Sequence, residues 1–395
     1  MSSGATLELN VGATPTPAAL APLSEQASAH LNMLRGIAAF VVLLGHWRSI
    51  FFVDWPQVRH HNLLLGLFYW SSKFGHEAVV VFFVLSGYLI GRTVLRPVWS
   101  GKWSAKHYAL HRLIRLEIVL FPALCLCWLW DSAGIHLFSP SPTYLGTGGS
   151  SVLAYNIPSW INAHIFFGNL VFLQTLLVPP FGSDNPLWSL ANEFWYYALF
   201  PCLVIALTAR FSWLRRAIAT LVMIAISVFI GKWMLGGYLI WLLGVLLIFL
   251  PKPVGLKNRH RSLLLLASLV CIAMQLVLTT AAGKPERQIN TDYVLAILVT
   301  VLLYTLLHDP RPVSKLYKKF AAKIAGFSYT LYLTHLPVLV FFSAWINYRH
   351  QPSPEGFALP LGILCLTVAY SYGIAMIFEH NTDRVRKRLE TIFGA

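Results

Sequence analysis

The residues able to do chemistry in this 395-residue chain stand at a few informative spacings. Arg35 and His46 lie eleven positions apart in one apolar stretch. On an α-helix that separation turns through about 1100°, within about 20° of three full turns, and rises about 16 Å. The two side chains therefore share a face at different depths. Glu193 comes six residues into a later apolar stretch that begins near Leu187, and His335 comes twelve residues after Lys323 in another. A histidine with a carboxylate at bonding distance has its tautomer and basicity set for taking a proton from a hydroxyl. His46, Glu193 and His335 are expected at similar depth and are the candidates for that work; the competing reading is a structural polar cluster joining helices. Arg112 and Arg115, three apart, share a helix face. Paired guanidiniums suit phosphate or pyrophosphate, and the alternative is anchoring to anionic lipid. Within bulky Phe82-Phe-Val-Leu-Ser-Gly-Tyr-Leu-Ile90, the small pair Ser86-Gly87 serves close helix packing or makes room for a narrow ligand passage.

The elements that must position these groups follow from composition. The chain is 57% hydrophobic and 11% charged, with a mean hydropathy of +0.63. A soluble domain carries about a quarter charged residues, so most of this outer surface meets something other than water. A transmembrane helix needs about 20 mainly apolar residues. Ten such stretches are predicted, at 34–53, 77–95, 113–133, 187–208, 213–231, 236–250, 262–281, 291–308, 323–346 and 358–379. The sixth is short and follows the fifth through a tight turn at Gly231 to Gly237. The polar residues of 161–178 mark a re-entrant or interfacial helix there.

The charges orient this map. Net charge is +15, from 30 Lys and Arg against 15 Asp and Glu. Of these, 23 cations fall at the N-terminal start of the first stretch or in alternate connections and the C-terminal tail. The positive-inside rule makes that side cytoplasmic and places both termini there. The expectation is an all-α integral membrane protein of about ten transmembrane helices, multi-pass in the cell (inner) membrane, and a nucleic-acid partner is not needed to explain the basic pI. Residues 1–30, without Lys or Arg, lack the basic start of a cleavable signal and read as a disordered cytoplasmic tail; 31–380 form the membrane domain and 381–395 a basic cytoplasmic tail. All five cysteines fall inside predicted spans, which argues against a disulfide framework. No metal-ligand spacing and no bound cofactor is expected.

Arg35 with His46, the FFVLSGYLIG stretch, Arg112-x-x-Arg115, the LWSLANEFWYYALFP segment around Glu193, and SYTLYLTHLP, which contains Tyr332 and His335, together resemble the membrane-bound acyltransferase-3 family over residues 31–380. The resemblance implies transfer of an acyl group, usually acetyl, from cytoplasmic acyl-CoA to a hydroxyl of a saccharide or lipid-linked saccharide beyond the outer face. It assigns His46 to the catalytic step, as general base or acyl carrier, and Arg35, Arg112 and Arg115 to the donor; the depth of Glu193 makes it the candidate catalytic carboxylate beside His46. Ser86, Tyr332, His335 and Glu77 have supporting roles. Two positions depart from the family pattern. Val80 stands where an acid is frequent, with Glu77 on the same face, and Glu379-His-Asn381 stands where Glu-x-Pro is common. The reading from another class is a proton-coupled secondary transporter using His46, Glu193 and His335 as a relay, against which no pair of interrupted spans occurs in corresponding halves.

Overall fold

The computed structural model of the chain describes residues 22–253, 257–281 and 289–393. The described residues form helices α1 (Glu25–Phe51), α2 (Leu63–Ser71), α3 (Gly75–Trp99), α4 (Ala105–Phe138), α5 (Pro142–Leu145), α6 (Ala163–Leu170), α7 (Leu187–Leu207), α8 (Trp213–Leu246), α9 (Asn258–Ala281), α10 (Ile289–Leu307), α11 (Lys315–Ala325), α12 (Ser328–Ile346), α13 (Pro354–Ile377) and α14 (Thr382–Phe393). Among them nine helices are long and apolar enough to cross a membrane. The tenth expected span is the second leg of α8. Backbone geometry breaks at Gly231 (φ 71°, ψ 176°). Before the break, Arg216 donates to the Ala206 carbonyl and Phe229 meets Trp195, so this leg runs antiparallel to α7. After it, Met234 accepts from the Tyr196 hydroxyl and Trp241 packs on Phe200, so the chain has reversed.

The outer surface is apolar, as a bilayer requires. Leu221, Val228, Leu266, Val270, Met274 and Ile297 are exposed. The interior is organised around α12, where Leu331, Leu333, Leu336, Val338, Leu339 and Val340 are all buried. Helix α12 packs on α1, α4 and α13, and α1 also packs on α3 and α11. Helices α3 and α8 approach backbone to backbone at Gly87 and Gly244. A Cβ on Gly87 would lie 1.9 Å from the Trp241 carbonyl oxygen, and one on Gly244 would lie 2.0 Å from that of Val84. Of the two readings of Ser86-Gly87, Gly87 thus serves close packing.

Three expected boundaries shift. Helix α1 starts at Glu25, because Ser24 accepts from the Ala27 amide and Glu25 favours the helix N-terminus; residues 1–21 lie outside the described residues. The tail after 381 folds as α14 against α4. Helix α6, with 8 residues, rises only about 12 Å and does not span. It belongs to a folded cap over 139–186. In this cap the Asp131 carboxylate accepts from the Ser183 amide (2.7 Å), the Asn169 amide donates to the Ile165 and Pro179 carbonyls, and Tyr155 stacks on Trp160. The cap rests on α1 and α12 through Ser49–Ser150 and Thr143–Ser343 hydroxyl pairs.

Candidate active site

Helices α1 and α12 bring His46 and His335 together. His46 Nδ1 and His335 Nε2 are 2.8 Å apart with ring planes within 6°. The tautomers follow from one further bond. His335 Nδ1 lies 2.9 Å from the Leu331 carbonyl, which can only accept, so Nδ1 carries the proton. His335 Nε2 is then the acceptor, and His46 Nδ1–H donates to it. That leaves the basic lone pair of His46 on Nε2, the arrangement of an imidazole held for proton abstraction. The sequence reading placed a carboxylate, Glu193, beside His46; the structure supplies a second imidazole in that position and seats Glu193 elsewhere.

Glu193 lies on α7 against a cavity of about 320 Å³. Its carboxylate accepts from Tyr197 (3.2 Å) and from Ser86, whose oxygen in turn accepts from Trp241 Nε1 (3.1 Å). Phe82, Leu85, Leu89 and Ile90 make one wall apolar. Toward α12 the cavity reaches Tyr332 and Ser189, whose hydroxyls pair at 2.7 Å while Tyr332 also donates to the Pro186 carbonyl. The ring centres of Tyr332, which lines the cavity, and His335, which does not, are 6.3 Å apart.

The other end of the cavity is cationic. Arg35, Arg112 and Arg115 line it and also line an adjoining basin of about 600 Å³ that includes Arg386 and His111. Arg115 is held by Glu379 (2.8 Å) and lies over the Tyr329 ring; Glu379 in turn accepts from the Thr330 amide and hydroxyl. Arg35 donates to the Ala325 carbonyl at the C-terminus of α11. The Nε atoms of Arg35 and Arg112 are buried without a hydrogen-bond partner. Arg35, Arg112 and Arg115 outnumber the carboxylates of Glu193 and Glu379, which leaves excess positive charge in a site open to a phosphate-bearing group.

The structure thus gathers Arg35, Arg112, Arg115, Ser86, Glu193 and Tyr332 along one cavity and sets His46 and His335 just beyond it. Glu77 is not brought there. It sits in the first turn of α3, near Lys73, outside both cavities. Glu379 as the partner of Arg115 was not legible in the sequence, because the two are 264 residues apart. Tyr197, one turn after Glu193 on the same face, was legible from spacing. The cap holds Asp184, whose carboxyl oxygens are buried without partners. Burial and the nearby Asp131 hold its carboxyl well above the usual carboxylate range.

The sequence matches the Acyltransferase domain family over residues 29–380. It is similar to O-acetyltransferase OatA of Staphylococcus aureus strains NCTC 8325 / PS 47, COL and MRSA252, in each case 24% identical over 305 residues, covering 70% of this chain and 48% of the relative. The chain therefore aligns with about half the length of these curated relatives. No solved structure matches it. With the family match spanning nearly all described residues and the motif residues converging on one cavity, the chain belongs to the acyltransferase-3 family of multi-pass membrane proteins.

Proposed function

We propose that this chain is an integral-membrane O-acyltransferase of the inner cell membrane that moves an acyl group, acetyl by preference, from cytoplasmic acyl-CoA to a hydroxyl of a saccharide or lipid-linked saccharide at the outer face. The observation that carries the reading is a cavity with a basic mouth and an apolar wall that ends at Tyr332, next to a histidine pair in which the tautomer of His46 is fixed by its neighbour. The O-acetyl transfer for which the similar proteins are named agrees with it. The donor's phosphates rest at Arg35, Arg112 and Arg115. Its flexible arm runs along Phe82, Leu85 and Leu89, with Glu193 accepting from the arm's amide N–H groups, and the thioester arrives at Tyr332.

In the reaction His46 Nε2 takes the proton of the acceptor hydroxyl as its oxygen attacks the thioester carbon. The C–S bond then breaks, and the departing thiolate receives that proton from the His46 imidazolium. An ester and free CoA thiol result, and His46 returns to its starting tautomer. His335 acts through His46, accepting its Nδ1–H throughout. General-base catalysis contributes about 10²–10⁴-fold, so His46→Ala is expected to lose activity by that factor. The test compares acetyl-CoA consumption and the acyl increment on surface glycans, by mass spectrometry, for wild type and a His46→Ala protein that retains its thermal transition. Unchanged modification by the folded variant overturns the assignment.

A further inference from the structure

Beside the basic basin lies a group of side chains that acyl transfer does not use. His107 and His111 stand four residues apart near the start of α4 and so project from one face. Their ring centres are 3.8 Å apart. Glu390, from α14, completes the group. Its Oε1 is 2.5 Å from His111 Nε2 and 3.9 Å from His107 Nε2, and the three ligand atoms all lie within 4.8 Å of one another. Two imidazoles at i and i+4 with one carboxylate form a donor set suited to zinc. Tetrahedral bonds of about 2.0–2.2 Å place ligand atoms about 3.3 Å apart, between the two separations observed here. Side-chain rotations that change these separations by about 1.5 Å or less would bring the three into coordination. Arg386, 3.8 Å from Glu390 Oε1 and paired with Asp383, flanks the group without filling it.

We propose that His107, His111 and Glu390 form a site for a zinc-class divalent cation that clamps α14 to the start of α4. The metal takes the place of the proton shared between His111 and Glu390, and that proton is released to solvent. Its fourth position is left to water, as in sites with three protein ligands. The clamp has a consequence at the basin, because α14 carries Arg386 and His111 belongs to the same wall. Fixing α14 sets the position of a cation facing the same space as Arg35, Arg112 and Arg115. That consequence rests on the donor reading above; the metal site itself does not.

The test uses the full chain without a polyhistidine tag, purified in detergent, stripped with chelator and titrated with Co²⁺ alone. The expected result is one equivalent giving the visible absorption of four-coordinate cobalt, without thiolate charge-transfer bands, and displaced by Zn²⁺. His107→Ala, which alters an exposed residue, is expected to weaken binding about tenfold or more while leaving the thermal transition in place. Hydrogen exchange across residues 382–393 is expected to slow on adding Zn²⁺ to wild type and not to the variant. No cobalt band, or the same affinity in His107→Ala, overturns the site. Because no donor is present, failure here is distinct from failure of the acyl-CoA reading, which CoA binding by Arg115→Ala tests separately.

Discussion

At the scale of residues, the site is a matter of which nitrogen holds which proton. The Leu331 carbonyl fixes His335, His335 fixes His46, and the basic nitrogen of His46 is set two hydrogen bonds away from itself. Replacing His335 by Leu removes the acceptor for His46 Nδ1–H and lets the imidazole rotate and tautomerise. The expected loss in kcat reaches up to about 10²–10⁴-fold, the range of general-base catalysis, with donor KM little changed. His335→Gln, whose amide oxygen accepts the same N–H, is expected to recover part of the rate. A merely structural role would instead give equal losses in both variants, with matching falls in thermal stability. The sequence showed His46 and His335 at comparable depth, since rise per residue is fixed, and showed Arg35, Arg112 and Arg115 at one end. It could not show that His46 pairs with an imidazole and not with Glu193, because rotation of α7 about its axis is set by packing. Nor could spacing reveal Glu379 or Glu390, whose partners lie 264 and 279 residues away.

At the scale of elements, two glycines separate two causes. Gly87→Ala would drive a methyl into the Trp241 carbonyl, 1.9 Å from the built Cβ, so α3 and α8 must part. Overpacking of this kind costs about 1–3 kcal/mol or more, and loss of both thermal stability and folded yield is expected. Gly231→Ala meets nothing within 4 Å, yet its φ of 71° with ψ near 180° is a region almost closed to other residues, at about 1–3 kcal/mol. Its destabilisation is expected to appear without disturbance of the α3–α8 contact, which disulfide trapping between cysteines placed along the two helices would report. The cap offers a pH test. Asp184 has a raised carboxyl pKa in the folded protein, so the folded state keeps a proton that the unfolded state gives up above about pH 4. Stability therefore falls as pH rises from the unfolded toward the folded value. Asp184→Asn removes that dependence and is expected to raise the thermal midpoint at neutral pH, the advantage vanishing below about pH 4. An unaltered gap between the two proteins from pH 4 to 7.5 would contradict this. The spans were legible from hydropathy alone, and so was the turn at Gly231. The cap was not, because its order comes from Asn169 and Asp131 reaching backbone groups of distant segments.

For the whole molecule, charge asymmetry and chemistry must agree on a direction. Cations gather at one end, where α14, the start of α4 and Arg35 of α1 line the basin, while the cap packs at the other end over the histidine helices. On the proposed donor reading, a molecule carrying several phosphates does not cross a bilayer, so the basin faces the compartment that makes acyl-CoA; the positive-inside rule independently predicts a cytoplasmic position for that end. Both arguments predict the same labelling pattern. In a chain with its native cysteines replaced, Thr147→Cys in the cap is expected to react with a membrane-impermeant maleimide on intact cells, and Lys319→Cys on α11 only after permeabilisation. Both positions are exposed, so access to the side chain itself is not the limit. The reverse pattern would place the basic mouth outside, where acyl-CoA is not available, and would sink the donor assignment while leaving the tautomer argument at His46 intact. That separation matters, because the histidine pair would then serve an acyl donor of another chemistry approaching from the same end.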